Sequence, residues 1–247
     1  MRKVFFFFLL FPFFLFFSNR LFAQWKNVAE GIDYQRSESP FVHAFRVDLK
    51  KVKLDLLIAK ELGANSFSSE DYRQRTKALL VINGGFFDEN FHSLGLRQKK
   101  NNVLNPVRNS TWGIFVLGGK DGKTPAILSR KDWKPELSTL ALQVGPRLVI
   151  DGQVPSFKEG SPTRRSAMGI TPDGKIEIAL SESPLTLREW AEWLKKDCPQ
   201  VLNLDGGGSS QVSVNSPHFS LQVMGATTVP DAIALFPNDA VQQPLKK

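Results

Sequence analysis

The sequence has one cysteine and three histidines among its 247 residues. The single cysteine, Cys198, excludes an intrachain disulfide, so the fold must be stabilised by its hydrophobic core. The histidines, His43, His92 and His218, are widely separated and lack the short spacing of zinc ligands. The sequence therefore indicates neither a disulfide framework nor a metal site, and each histidine is interpreted as structural or exposed.

Three familiar glycine motifs are also missing. The chain has no Gly-Lys-Ser/Thr ending of a nucleotide P-loop, no dinucleotide fingerprint at a strand-to-helix turn and no Gly-x-Ser-x-Gly elbow. These absences exclude P-loop enzymes, dinucleotide-dependent enzymes and serine hydrolases of the elbow type. We expect no organic cofactor.

Basic residues outnumber acidic residues by 32 to 24, which gives a formal charge of +8. The lysine pairs at 50–51, 99–100 and 195–196 are dispersed, and no aromatic residues alternate with them as in proteins that bind single-stranded nucleic acid. A positive surface can attract anionic sugars, phosphodiesters or a membrane surface, although scattered lysines and arginines more often only solvate the protein. We exclude nucleic acid as a partner, and the charge alone identifies no other.

The longest apolar run lies at the N terminus. Two cationic residues precede a stretch from Val4 to Phe17, and a short polar segment then leads to Ala23, an order typical of a secretory signal. The core of 14 residues is short for a bilayer of about 30 Å, and Pro12 interrupts it. We predict cleavage after Ala23 and one domain over residues 24–247, exported to the periplasm or beyond, with no membrane span. Loss of three cations would lower the charge from +8 to +5; an uncleaved anchor is the alternative.

Apolar and polar residues alternate along 43–47 and 52–58, which predicts an antiparallel pair of strands turning near 49–51. Between 113 and 180, short apolar runs are separated by Gly-Gly or Asp-Gly turns. These turns predict a meander of hairpin strands, because glycine adopts positive φ without steric cost.

Helices are few. Thr186 and Glu189 form a capping box before an apolar face, so a helix is predicted to begin there and to end before Pro199. A weaker helix is predicted from Ser69 to Ala78, with acidic residues at its positive end. The pattern predicts an α+β fold with a mostly antiparallel or mixed twisted sheet, hairpins and few helices.

Two continuous apolar runs, 79–82 and 201–204, predict buried strands, each followed by a glycine-rich loop. Exposed amides in such loops bind anions or hydroxyl groups, although a glycine pair can equally be a plain turn. Asp205 favours a site, because a carboxylate at the mouth of a buried strand is costly unless it is hydrogen-bonded or catalytic. We predict that the segments 83–87 and 203–210 converge on one polar active site.

Four segments, taken together, resemble the phosphodiester glycosidase family. In chain order they are 81–87, 143–152, 165–170 and 203–210. The resemblance covers roughly residues 41–236, and the order of all four segments is more specific than any one of them. It implies hydrolysis of the bond between an anomeric carbon and a phosphodiester. The family also has a vertebrate member, an enzyme that removes N-acetylglucosamine from a phosphodiester on lysosomal enzymes. The present chain lacks the cysteines and extra modules of that enzyme, so we expect its substrate to be an envelope glycan or exopolysaccharide.

The chemistry that the resemblance implies needs a cation and a carboxylate. The expelled phosphomonoester is a good leaving group, so a strong general acid is not essential. We assign Arg165 to the departing phosphate because guanidinium presents a planar fork of donors, with a surface salt bridge as the alternative role. Asp205 is assigned as the catalytic carboxylate. It could stabilise the oxocarbenium-like centre, activate water or attack as nucleophile, and these three roles stay open.

The other candidates would hold sugar hydroxyls or phosphate oxygens. They are Asn83, Gly84, Gly85, Phe86, Gln143, Gly206, Gly207, Gly208, Ser209 and Ser210. Phe86 or Phe87 could stack on a sugar ring, although both are equally suited to the core. Asp88 and Glu182 are the candidates for a second carboxylate.

Two other functions stay open. An envelope module could bind anionic glycans in the same cleft without catalysis. A structural envelope protein would have no concave site, and Asn83, Arg165 and Asp205 would then lie on different faces.

Overall fold

A computed structural model describes residues 24–100 and 102–238. The predicted signal over residues 1–23 lies outside the described residues. Within those two ranges, no helix has the length and apolar character that a membrane span requires.

The described chain contains 17 strands and two α-helices. The helices are α1 (Ser69–Thr76) and α2 (Leu187–Leu194). The strands are β1 (Lys26–Ala29), β2 (Ile32–Glu38), β3 (Phe41–Val47), β4 (Val52–Ile58), β5 (Leu80–Asn83), β6 (Arg97–Lys99), β7 (Asn102–Asn105), β8 (Gly113–Gly118), β9 (Thr124–Leu128), β10 (Ser138–Val144), β11 (Arg147–Val149), β12 (Thr163–Ile170), β13 (Ile176–Leu185), β14 (Gln200–Asn203), β15 (Val212–Ser216), β16 (Phe219–Val223) and β17 (Asp231–Pro237).

The strands pair antiparallel throughout the described residues and form three sheets. The seven-stranded sheet has the order β1-β2-β3-β13-β12-β14-β11. The β5 sheet has the order β16-β15-β5-β17-β4, and the β10 sheet has the order β7-β6-β10-β8-β9. The predicted α+β fold of mostly antiparallel sheet is confirmed.

The main core lies where all three sheets contribute apolar faces. Phe45 of the seven-stranded sheet, Ile82 of the β5 sheet and Phe115 of the β10 sheet are buried in this one cluster. Because Cys198 is free, apolar burial worth about 25 cal/mol per Å² is the main source of stability.

The two helices cover the outer faces of two sheets. Tyr72 of α1 packs with Val81 against the β5 sheet, and Trp190 of α2 packs with Val201 against the seven-stranded sheet. Strands β5 and β14 are therefore buried on both faces, as the apolar runs predicted. Their carboxyl ends, where the glycine loops begin, are held firmly by this packing.

Both predicted helix starts are confirmed. Thr186 Oγ1 accepts a hydrogen bond from Glu189 N at 3.2 Å, and the Glu189 carboxylate accepts from Thr186 N at 2.8 Å, which completes the capping box. Ser68 and Asp71 cap α1 in the same way. Helix α1 ends at Thr76, two residues before the predicted end.

The predicted pairing of 43–47 with 52–58 is wrong. Strand β3 pairs with β2 and β13, whereas β4 pairs with β17. Amides of Lys51 and Val52 donate to Asp48 O at 2.9 and 3.1 Å, and this tight turn passes the chain from one sheet to another. Alternation specifies a buried face but not the neighbouring strand. The predicted meander is likewise divided, since β8–β10 and β11–β13 belong to different sheets.

Candidate active site

The two glycine loops meet at the ends of β5 and β14. Asp205 N donates to Gly84 O at 3.1 Å, and Asn83 Nδ2 donates to Asp205 O at 2.7 Å. These bonds join segments more than a hundred residues apart in sequence. They bring the predicted carboxylate and both loops together.

Asn83 lies fully buried at the end of β5. Its Oδ1 accepts from Ser166 Oγ at 2.8 Å and from Gln211 N at 3.2 Å, while Nδ2 donates to Asp205 O. All of these partners are protein groups. In this structure Asn83 therefore braces the loop, and its contact with a substrate stays a prediction.

Gly84 and Gly85 are needed for close packing. Gly84 N donates to Asp231 O at 3.0 Å, and Gly85 N donates to Asp231 Oδ1 at 2.9 Å. A Cβ at Gly84 would overlap Asp231 Oδ1, and one at Gly85 would lie 2.5 Å from Nη2 of Arg97. Both amides thus face inward, so a substrate at this loop would have to use other atoms.

Asp205 is partly buried at the start of the second loop. Burial is the main cause that raises the pKa of its carboxyl group, and the negative charge of Asp231 raises it further. Hydrogen bonds from the Ser209 hydroxyl and the Gly206 amide, and the positive charge of Arg97, lower this pKa. A raised pKa makes a carboxyl group a better proton acceptor than an ordinary carboxylate.

Arg165 lies in β12 beside the same loop. A Cβ at Gly206 would stand 3.9 Å from both Cδ and Nη1 of Arg165. Arg165 Nε donates to Leu185 O at 2.9 Å, and burial lowers the pKa of the guanidinium. Within the described ranges it has no carboxylate partner, so the alternative role in a surface salt bridge is not observed there.

The rest of the second loop reaches the surface at Gly208 and then returns to the interior. Gly207–Ser209 forms a 3-10 turn in which Gly207 has φ 60°, and Gly208 is exposed. Gly208 O accepts from the amides of Ala226 and Thr227 at 2.7 and 3.2 Å. Ser209 and Ser210 are buried, and Ser210 Oγ has no hydrogen-bond partner within the described chain.

Gln143 is buried and supports an aromatic pair. Its Oε1 accepts from Arg108 N at 2.7 Å and its Nε2 donates to Arg108 O at 3.0 Å. The Arg108 guanidinium lies 5.5 Å from the centre of the Trp112 ring, and Trp112 lies 5.2 Å from Phe86. We call Phe86 and Trp112 the aromatic wall. Sequence reasoning missed Trp112, although a tryptophan directly before a predicted strand was a visible signal.

The aromatic wall adjoins the second loop through one glycine. A Cβ at Gly145 would lie 2.8 Å from the Trp112 ring, and Gly145 O accepts from Asn203 Nδ2 at 3.4 Å. Trp112 therefore stands close to the strand that ends at Asp205.

Each of the two candidates for a second carboxylate contacts a histidine. Asp88 is tied to its own loop, where Oδ1 accepts from His92 N at 2.8 Å and Oδ2 lies 3.1 Å from His92 Nδ1. Glu182 lies 2.9 Å from Nε2 of buried His43, whose Nδ1 lies 2.8 Å from Tyr34 Oη. In the two described ranges, no three His, Cys, Asp or Glu side chains gather as a metal site would require.

A buried ion pair beneath the loops was not predicted. Asp231 Oδ2 accepts from Arg97 Nε at 2.8 Å and from Ser93 Oγ at 2.7 Å. The partners are 134 residues apart, and no local pattern marks either of them. Only tertiary structure could have revealed this pair.

The chain belongs to the phosphodiester glycosidase family, whose family model matches residues 76–236, more than half of the sequence. No curated protein sequence matches the chain. Solved structures that share the fold include the following two. A hypothetical protein from Synechocystis has a TM-score of 0.67 and 15% identity, covering 87% of this chain and 64% of its own. The catalytic domain of zebrafish N-acetylglucosamine-1-phosphodiester α-N-acetylglucosaminidase has a TM-score of 0.61 and 19% identity. The match covers 88% of this chain and 84% of the zebrafish chain. This chain thus spans just under two thirds of the Synechocystis protein.

Proposed function

We propose that this protein is an exported hydrolase that cleaves a sugar 1-phosphodiester, or a related glycosidic bond, in envelope or extracellular glycans. The observation that carries the proposal is the meeting of the two glycine loops at Asp205, with Arg165 beside the same loop. Family membership supports the reaction class. The location outside the cytoplasm is supported by the signal-like residues 1–23 alone.

The reaction breaks the bond between the anomeric carbon and the phosphate oxygen and adds one water molecule. Free sugar and a phosphomonoester are released. Asp205 would act on the anomeric carbon. Partial burial raises the pKa of its carboxyl group, which favours uptake of a proton and interaction with positive charge that develops nearby. Its action as stabiliser, base or nucleophile would follow from where the sugar lies.

Arg165 would bind the phosphate as negative charge accumulates on the departing oxygen. Its Nε is occupied by Leu185 O, which fixes the plane of the guanidinium. Nη1 lies beside Gly206, one residue from Asp205. Arginine presents its donors in a rigid fork, so this placement suits the recognition of phosphate oxygens.

The aromatic wall would support the sugar ring. Trp112 is half-buried and carries the exposed Arg108 guanidinium on its face. Phe86, Gly207, Gly208 and the two serines complete the group of residues that would surround the substrate. An anionic glycan would also be favoured by the positive charge of the chain.

The test is release of free sugar from a panel of sugar 1-phosphodiesters by the purified protein. We expect at least one to be hydrolysed, and Asp205→Asn to lower kcat about 10³-fold while substrate affinity is largely kept. The matched control is Asp173→Asn, which changes an exposed carboxylate at a hairpin turn and should keep full activity.

Two results would count against the proposal. Unchanged sugar release by Asp205→Asn would remove Asp205 from the mechanism. Binding of an anionic glycan without hydrolysis of any phosphodiester would identify the protein as a non-catalytic module.

A further inference from the structure

A buried ion pair lies directly under the Gly84-Gly85 loop. The side chains of Arg97 and Asp231 are 1% and 0% exposed, and Arg97 Nε donates to Asp231 Oδ2 at 2.8 Å. Removing two charges from water costs about as much as their attraction returns, so stability alone does not explain such a pair. Its position under the loops suggests a connection with Asp205.

Three hydrogen bonds connect Asp231 to the backbone of Asp205. Asp231 Oδ1 accepts from Gly85 N at 2.9 Å, and Asp231 O accepts from Gly84 N at 3.0 Å. Gly84 O in turn accepts from Asp205 N at 3.1 Å. Since the side chain of Asp231 binds the Gly85 amide and its backbone oxygen binds the Gly84 amide, a shift of Asp231 would be transmitted to the start of the second loop.

Arg97 places an unused donor against the same loop. Its Nη1 donates to the carbonyl oxygens of Gly95, Leu96 and Gln143 at 3.1, 3.1 and 3.2 Å. Its Nη2 is buried and finds no hydrogen-bond partner among the described residues. This nitrogen lies where a side chain at Gly85 would stand, so the guanidinium charge is held beside the loop backbone.

We propose that Arg97 and Asp231 are a positioning pair for Asp205, which holds its loop in place and acts on its carboxyl group through their charges. The catalytic consequence rests on the proposed function, whereas the structural connection does not. The charges of both residues reach Asp205, since that of Asp231 raises the pKa of its carboxyl group and that of Arg97 lowers it. Arg165, beside Gly206, is a further charged group at this loop.

The test is the pH titration of the Asp205 carboxyl group in ¹³C-labelled protein, with Asp205→Asn used to assign its signal. Asp231→Asn removes a negative charge and leaves Arg97, so the titration midpoint of Asp205 should move to lower pH. Arg97→Lys keeps the positive charge but loses the fork of donors, so the midpoint should stay near that of the natural protein. A pair that merely supported the fold would shift the midpoint in both variants or in neither.

Asp173→Asn is the matched control. It removes a negative charge from an exposed hairpin turn, where a hydrogen bond from the Thr171 hydroxyl lowers the pKa of the carboxyl group to about 2, and it should leave the Asp205 midpoint unchanged. If Asp231→Asn does not fold, the double variant Asp231→Asn/Arg97→Gln avoids an unpaired buried charge. The titration midpoint of Asp205 should still move to lower pH in this double variant, because the charge of Asp231 raises the Asp205 pKa more than the charge of Arg97 lowers it.

Activity gives a second readout. Asp231→Asn should lower kcat/KM about 10²-fold, because a small displacement of a catalytic group has effects of that size. If no phosphodiester is hydrolysed by the natural protein, the proposed function fails, and the titration still decides the inference. An Asp205 midpoint that does not move in Asp231→Asn, or in the double variant, would overturn the positioning pair.

Discussion

The two glycine loops have similar sequences but different surroundings. The Gly84-Gly85 loop is buried, and both of its amides donate to Asp231. The Gly206–Gly208 loop emerges at the surface, where a Cβ at Gly208 would meet only ordinary contacts, the nearest at 3.5 Å from Ala226. Glycine therefore allows dense packing over an ion pair in the first loop, and leaves backbone accessible beside a carboxylate in the second.

This difference assigns separate tasks to the two loops. The first supports the site from within, because its polar groups are already bonded to protein. The second is the one that can face a substrate, since it carries Asp205 and adjoins Arg165. Four predictions would break or sharpen the comparison.

The largest effect is expected from alanine at the two loops. Gly84→Ala should lower the free energy of unfolding by about 3 kcal/mol, because the new methyl group overlaps the buried Asp231 carboxylate. Gly208→Ala should change it by no more than about 0.5 kcal/mol, as for most exposed sites. Urea unfolding of both variants measures the difference. Equal destabilisation would contradict the distinction between a packed and an accessible loop.

The second prediction concerns the pH dependence of stability and a buried carboxyl group outside both loops, that of Glu177 in β13. Burial is the main cause that raises its pKa from 4.5 to about 7, Asp197 raises it further, and Arg46 opposes the shift. The folded state thus keeps a proton that the unfolded state loses above pH 4.5. The stabilising contribution is complete below pH 4.5 and is lost as pH rises through 7, in total about 3 kcal/mol.

Glu177→Gln should abolish this dependence. Unfolding free energies measured between pH 4.5 and 7.5 should fall for the natural protein and stay level for the variant, apart from changes that both share. Parallel curves would show that Glu177 does not titrate in this range.

Arg165 tests the accessible loop without disturbing the packed one. Arg165→Lys keeps a positive charge but loses the planar fork, so kcat/KM for a sugar phosphodiester should fall about 10²-fold, as for removal of one donor to developing charge. Stability should change little. Arg188→Lys, at an exposed position of α2, is the matched control. Full activity in Arg165→Lys would indicate that Arg165 has only a structural role.

The smallest effect is expected at the aromatic wall. Trp112→Ala should raise KM about fivefold, because stacking on a sugar face contributes roughly 1 kcal/mol, and Trp112→Phe should restore most of the affinity. Initial rates over a range of substrate concentrations measure both. Unchanged kcat and KM in Trp112→Ala would place Trp112 away from the sugar.

Part of the site was predictable because its signals are local. The apolar runs before Asn83 and Asp205 predicted two buried strands, and both are present as β5 and β14. Thr186 and Glu189 predicted the start of α2. In each case the pattern lies within a few residues, and backbone preference and burial favour the same structure.

Partners distant in sequence were not predictable. Arg97 and Asp231 lie in unrelated segments, and Trp112 gains its position through Phe86 and Gly145. The pairing of β3 with β4 was predicted wrongly, because alternation along a strand does not identify its neighbour.

The amino-acid sequence by itself determined the buried strands, the glycine loops that follow them, the helix caps and the residues with suitable chemistry. These properties depend on φ preferences, polarity and spacing along a short stretch of chain. Tertiary structure alone decided that Gly84 and Gly85 are closed by Asp231, while Asp205 stays partly open beside Arg165. The physical reason is that burial and hydrogen-bond partners arise only when distant segments pack together, and they determine which polar group stays available for chemistry.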